Sequence, residues 1–145
     1  MAFTGPLEDR ILIRELIETY ANGVMERNVE EWGDVWAEDA YWALPEWPGL
    51  EGFSGREAIV KGWVDSMGVY ASMTDFSIPM IYIATPGAIN VRGDKATAHV
   101  FTSEIFRDPE SKKEMRVRGR YDDQLEKRDG RWLFTRREYR ILHIA

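Results

Sequence analysis

The run from Arg116 to Ile144 constrains the fold more than any other part of the chain. It alternates with a period of two, as strands with one buried face do. Val117, Gly119, Tyr121, Asp123 and Leu125 fall on one face of its first half, and Arg118, Arg120, Asp122, Gln124 and Glu126 on the other. Asp129-Gly130 then marks a tight turn, because these residues accept the positive φ that a right-twisted hairpin needs. Trp132-Leu133-Phe134 restarts the ladder. A hairpin this long is the spine of a sheet. Its inward face carries an acid, Asp123, beside a phenol, Tyr121. An acid buried there needs a donor, such as Arg136, Arg137 or Tyr20, and reads chiefly as part of a structural network.

The first third reads as helical. Gly5 is placed to cap a helix with Pro6 at its first position and Glu8 in its first turn. Ile13, Leu16, Ile17, Tyr20, Ala21 and Val24 form one apolar stripe. Asn28 and Glu31 form a second cap pair, starting a short helix that buries Trp32, Val35 and Trp36. Tyr41 to Leu44 reads as a short strand, and Pro45 to Gly55 as a loop with Trp47 exposed. Ser54-Gly55-Arg56-Glu57 has the spacing of a capping box, opening a helix that presents Ile59, Val60, Trp63, Val64 and Met67. From there the chain becomes β: Asp75 to Ala84, an edge or bulged strand because of Pro79; a turn at Thr85-Pro86-Gly87; Ala88 to Val91; and Lys95 to Arg107.

Helices followed by a run of antiparallel strands define an α+β layout. The expected architecture is a curved antiparallel or mixed sheet wrapped around a long N-terminal helix, a cone whose open end is an apolar pocket for a small molecule. With 145 residues the chain is expected to be one domain, residues 1–145. A net charge of −6 argues against a nucleic-acid partner. The absence of cysteine excludes disulfides, thiolate metal sites and cysteine nucleophiles. No apolar run reaches membrane-spanning length and no signal peptide is visible, so a cytoplasmic protein without a membrane partner is the expectation. No nucleotide, haem, flavin or metal motif is present, and the expected cofactor is none.

Several motifs recur in order along nearly the whole chain. They are Ile13-Arg14-Glu15-Leu16 to Tyr20-Ala21, Ala37-Glu38-Asp39-Ala40 and Gly55-Arg56-Glu57-Ala58-Ile59. Val91-Arg92-Gly93-Asp94-Lys95-Ala96, Gly119-Arg120-Tyr121-Asp122-Asp123 and Asp129-Gly130-Arg131-Trp132 continue the set. In this ordered set the chain resembles the SnoaL-like family of the NTF2-like, or cystatin-like α+β cone, superfamily. The resemblance implies the fold but not one activity, because that fold hosts dehydratases, isomerases, cyclases, dehydrochlorinases, epoxide hydrolases and non-catalytic domains. Catalytic relatives often pair an aspartate near the end of the first helix with a histidine at the start of the first long strand. Those positions fall here on Met25 and Asp75, so both members of the pair are changed.

Two residues stand as candidates for catalysis. Asp75, at the mouth of an apolar cone, would have its pKa raised by desolvation; the bland alternative is an exposed strand-start aspartate. Glu104 belongs to the set Ala96, Ala98, Val100, Thr102, Glu104 and Phe106, expected on the concave face, or reaches solvent at a strand end. The candidate ligand-binding residues are Tyr20, Met25, Trp42, Trp63, Phe76, Val100, Thr102 and Tyr121. The aromatics among them, with Tyr82, favour a flat apolar or aromatic-like ligand oriented by phenols, or are plain core packing. Met67, Met73 and Met80 would pad a tolerant wall. His99 is expected on the outer face, and His143 at the surface near the chain end or folded back over a neighbouring pocket; they do not make a metal site.

Two functional readings follow. One is a cofactor-free lyase, isomerase or hydrolase acting on a small apolar or aromatic-like molecule through Asp75, helped by Glu104 or a tyrosine. The other is a non-catalytic binding or accessory domain, resembling a dioxygenase small subunit. In either case the outer sheet face is expected to pair copies into a homodimer or higher homo-oligomer.

Overall fold

The computed structural model describes residues 1–145. The closing hairpin forms as its sequence dictates: β6 (Glu114–Arg128) and β7 (Arg131–Ile144) pair antiparallel around Asp129 and Gly130, whose φ angles are 50° and 77°. Upstream lie β4 (Ile81–Arg92) and β5 (Lys95–Arg107), also antiparallel. β2 (Trp36–Ala43) joins β7 in parallel, and the short β3 (Phe53–Ser54) and β1 (Phe3–Thr4) close the two edges. The result is one mixed sheet of seven strands in the order β1-β4-β5-β6-β7-β2-β3.

Three helices complete the fold: α1 (Leu7–Glu26), α2 (Val29–Gly33) and α3 (Arg56–Tyr70). The apolar stripe of α1 is buried through Ile13, Ile17, Tyr20, Ala21 and Val24. Ala96 and Ala98 on β5 are small, leaving room on the concave face. Bulges let the sheet curl around its contents, since an extra residue bends a strand and tightens its twist. One lies in β4 between Pro86 and Ala88, and two lie in the closing hairpin, opposite Gln124/Leu125 and Arg118/Gly119.

The departures from expectation have local causes. Thr85-Pro86-Gly87 does not turn the chain; it is absorbed as the β4 bulge. A Cβ on Gly87 would lie 2.6 Å from the His99 ring, so only glycine lets that side chain cross. The strand expected from Asp75 begins instead at Ile81. The short helix ends at Gly33, and Trp36 already pairs with Phe134 in β2. Pro6, not Gly5, is the N-cap of α1. The capping box at Ser54 does not form, because Gly55 occupies the cap with φ 90° and Ser54 is held in β3.

The Asn28 cap does form: its side chain accepts the Glu31 backbone N–H at 3.1 Å. Asn28→Ala is therefore expected to cost about 1 kcal/mol. Urea unfolding should show a lower midpoint with an unchanged slope, and an unchanged midpoint would mean the cap is idle.

On the outer sheet face Ile83 and Phe101 are exposed. No helix is long and apolar enough to cross a membrane.

Candidate functional site

Aromatic packing builds a cavity at one end of the concave face. Trp32 stacks on Trp63 at 4.4 Å between centroids and meets Trp36 and Trp42 edge-on. Tyr20 on α1 touches Trp32, Tyr82 and Tyr121. These contacts hold Tyr20, Trp42, Trp63, Tyr82 and Tyr121 as a fixed wall. A second aromatic group, Trp47, Tyr70 and Phe106, closes on itself with centroids 5.5–5.9 Å apart, and Met67 and Met80 also line the cavity. The cavity is small, about 80 Å³, and opens outward at its mouth.

One carboxylate faces this space. Glu104 stands on the inward face of β5, two residues beyond Thr102. The Tyr139 hydroxyl donates to Glu104 Oε2 at 3.1 Å, and Thr102 Oγ1 donates to the Tyr139 oxygen at 3.4 Å. Burial pushes the Glu104 carboxyl up to about 7, and the Tyr139 hydrogen bond restrains that rise. The side chain keeps some accessible surface because it opens on the cavity, while protein packs around the rest of it. One oxygen is thus tied and the other has no hydrogen-bond partner.

Gly119 makes this contact possible. A Cβ there would overlap the Tyr139 ring and hydroxyl, so Tyr139 can cross β6 only above a glycine. Gly119→Ala is expected to displace Tyr139 from Glu104. The carboxyl then loses the bond that restrains its pKa, which should move above about 7. A carbon-13 NMR titration of the Glu104 carboxyl reads this directly, and an unmoved titration would refute it.

A second network lies beneath the phenols. The Tyr20 and Tyr121 hydroxyls are 3.0 Å apart, and Trp42 Nε1 donates to the Tyr121 oxygen at 3.0 Å. The Arg137 guanidinium lies over the rings of Tyr20, Tyr121 and Phe134 at 4.5, 4.0 and 4.2 Å. Arg137 in turn donates to both oxygens of Asp123, from Nε at 2.7 Å and Nη2 at 3.1 Å. Both residues are buried. Burial raises Asp123 to about 6, and Arg137 keeps it from rising further, so the pair is ionised at neutral pH. Burial also pushes the Tyr20 phenol up to about 12 and those of Tyr82, Tyr121 and Tyr139 well above their ordinary value. All four remain O–H donors at neutral pH.

The cavity brings together Tyr20, Trp42, Trp63, Glu104 and Tyr121. Thr102 is buried behind it and acts only through Tyr139, and Val100 is buried without lining it. The other expected residues lie elsewhere. Met25 is 37% exposed and Phe76 is 59% exposed, against the Arg27 guanidinium. Asp75 is exposed and does not line the cavity. Its Oδ1 accepts the Ser77 N–H at 3.0 Å and the Ser77 hydroxyl at 2.6 Å. Those bonds hold its pKa below the ordinary value, the reverse of the expected desolvation shift.

The cause is Arg27. This residue ends α1 in the left-handed region, is buried, and donates to the carbonyls of Asp75 at 3.1 Å and Ile78 at 2.6 Å. It pins Asp75 and Ile78 in a loop ahead of the sheet. His99 and His143 pair across from Asp122 and Arg118 on the outer face.

Tyr139 is the residue that alternation misses. Counting inward positions from Trp132 and Phe134 assigns 136 and 138 to the core. The bulge at Thr135 shifts the phase, and Arg137 and Tyr139 turn inward instead. Trp47 is likewise half-buried against Tyr70 and Phe106, where an exposed loop tip was expected.

A family model described as a SnoaL-like domain matches residues 5–138. No curated protein matches the sequence significantly. Among solved structures, one similar chain is described as an aromatic ring hydroxylase, provisionally assigned, from Novosphingobium aromaticivorans. It has 22% identity and a TM-score of 0.82, with 98% of this chain and 95% of that chain covered. A second, provisionally assigned as a scytalone dehydratase from the same organism, has 21% identity and a TM-score of 0.78, covering 96% and 87%. A third is the hexachlorocyclohexane dehydrochlorinase LinA-type3 from Novosphingobium barchaimii LL02, with 20% identity, a TM-score of 0.80 and coverage of 96% and 90%. At these identities the likeness establishes a shared fold. A further neighbour, from Nostoc punctiforme, is described as having a cystatin-like fold.

Proposed function

This chain belongs to the SnoaL-like domain family, and from that premise we propose that it is an enzyme of lyase or isomerase type. Its substrate is a small, largely apolar ring-shaped molecule, and Glu104 moves the proton. The observation that carries this reading is the Glu104 carboxyl itself. It has a pKa near 7, one oxygen fixed by Tyr139, the other unbonded, and an aromatic cavity in front of it. A group with that pKa serves equally as base and acid at neutral pH.

The chemistry needs no more than these side chains. As carboxylate, Glu104 takes a proton from a substrate carbon. Tyr139 stabilises the carboxylate and Thr102 fixes Tyr139. As carboxylic acid, Glu104 returns the proton to another carbon, which is isomerisation, or to a departing group, which is elimination. The aromatic walls exclude water from the intermediate. The neighbours named as a dehydratase and a dehydrochlorinase bear the names of eliminations. Asp75, exposed and off the cavity, has no part in this reading.

The non-catalytic alternative draws on the Met25 and Asp75 positions, neither of which lines the cavity. One experiment separates the two. The protein is incubated in deuterated water with a panel of small ring compounds, including cyclic ketones, ring alcohols and chlorinated cyclohexanes. Exchange or elimination is followed by NMR. The expected result is turnover that rises through a pKa near 7 and falls by about 10²–10⁴ in Glu104→Gln. Saturable binding without turnover of any member would establish a binding domain instead.

A further inference from the structure

Resting on the assignment of this cavity as a substrate site, we infer that the loop at residues 45–49 is its lid. Trp47 plugs the mouth, Glu46 latches the loop to β7, and a ring-shaped substrate enters by displacing the indole.

Size sets the problem. The cavity of about 80 Å³ is smaller than the roughly 150 Å³ that takes up a single benzene ring. A ring-shaped molecule does not fit in it as it stands, so part of the wall must yield.

The inner wall is fixed. Tyr20, Trp42, Trp63, Tyr82 and Tyr121 stand on helices and strands. Trp63 is stacked on Trp32, and Trp42 is bonded to Tyr121 at 3.0 Å. Met80 lies just ahead of β4, in a segment held at the Asp75 and Ile78 carbonyls by the buried Arg27. Two charge-assisted bonds from one buried guanidinium make that side hard to lift.

Trp47 differs on each count. It is the one aromatic of the lining that lies on a loop. Its indole is half-buried and meets Tyr70 and Phe106 edge-on, at 5.7 and 5.9 Å. The Leu44 N–H donates to the Leu50 carbonyl at 2.8 Å, which ties the base of the loop. Within it the Trp47 N–H donates to the Leu44 carbonyl at 2.9 Å, and Pro45 and Pro48 stiffen the span. A loop tied at its base and stiff within moves as one piece about Leu44 and Leu50. Its latch is Glu46, whose Oε1 accepts the Ile141 N–H at 2.8 Å. β2 leaves β7 after the Ala43–Glu138 pair, and the carboxylate meets β7 again further along. This bond is exposed, so water competes for both groups and it releases far more easily than the Arg27 pair.

A plug and a wall predict opposite signs. Removing a wall residue takes away contacts and weakens binding. Removing a plug frees a site that the closed loop withholds, and apparent affinity rises as the open fraction rises. The space that the indole vacates beside Tyr70 and Phe106 has the shape of a flat bicyclic ring. The lid thus selects for flat rings, which fill that space without disturbing the fixed wall.

The test uses azulene, a flat apolar bicycle that quenches tryptophan fluorescence, with the full chain in equilibrium and stopped-flow titrations. Trp47→Ala should bind azulene about tenfold more tightly than the wild type, through faster association. Glu46→Ala keeps the plug and frees the latch; it should speed association about fivefold at an unchanged melting temperature. In protein labelled with 5-fluorotryptophan, the Trp47 resonance is identified by its absence in Trp47→Phe. On azulene binding it should gain the solvent isotope shift of an exposed indole. Weaker binding in Trp47→Ala, an unchanged association rate in Glu46→Ala, a Trp47 resonance that stays shielded in the complex, or azulene binding to none of these proteins overturns the inference. Turnover that depends on Glu104 while Trp47 stays in place would refute the lid and spare the enzyme. Displacement of Trp47 by azulene, with no turnover of any ring compound, would sustain the lid and refute the enzyme.

Discussion

Glu104→Gln is expected to be more stable than the wild type at pH 8 and equally stable at pH 4. The Glu104 carboxyl has a folded-state pKa of about 7, against an ordinary value of 4.5 that the unfolded chain retains. Between these values the unfolded state has lost its proton and the folded state has kept it. The unfolded state then binds fewer protons, so stability falls as pH rises through this window. Above pH 7 the loss is complete and amounts to roughly 3 kcal/mol. Glutamine keeps the shape, accepts the Tyr139 hydrogen bond through its amide oxygen and carries no charge to desolvate. For a chain of this length the gain should raise the melting temperature by roughly 5–10 °C at pH 8. The same substitution should remove the proposed proton transfer. Opposite signs for stability and activity mark a group kept for chemistry at the expense of the fold. Equal melting temperatures at pH 8 would show that the carboxyl is not desolvated and that the basis for its role is gone.

The fold was legible because its longest elements obey simple periods. The α1 stripe and the alternation of β5 and β6 place their inward residues correctly, and Asp129-Gly130 turns where turn chemistry requires. The site was less legible, for two physical reasons. Bulges change the phase of a strand and are invisible to alternation; one of them moved Arg137 and Tyr139 from the outer face to the inner. Long-range pinning overrides local preference; Arg27, with no strong sequence signature, holds Asp75 outside the cavity from 48 residues away. Glu104 was placed on the concave face because nothing interrupts β5 between Ala96 and Phe106. Its partner could not be found, because Tyr139 lies beyond the bulge.

Arg137→Met carries the largest destabilisation expected of any substitution near the site. Arg137 is 0% exposed and both its bonds to Asp123 are made inside the core. Removing it leaves a buried carboxylate with no opposite charge, at a cost of about 3–5 kcal/mol. That corresponds to a fall of roughly 10–15 °C in melting temperature. The loss should depend on pH. Without Arg137 the Asp123 carboxyl rises above its present value of about 6, since the guanidinium is what restrains it. A raised folded-state pKa means stability is retained below the unfolded value and lost as pH rises. The variant should thus be damaged least near pH 4, where Asp123 is neutral, and most at pH 8. Adding Asp123→Leu to Arg137→Met removes the orphaned charge and should recover much of the loss, because apolar replacements of buried pairs are often tolerated. Recovered stability need not restore function. The guanidinium lies against the faces of Tyr20 and Tyr121, so without it both rings lose the support that fixes their hydroxyls. The double variant, folded but with a loosened phenol pair, should bind a small apolar ring in the cavity more weakly than the wild type. A double variant that keeps the full affinity would confine Arg137 and Asp123 to holding the core together.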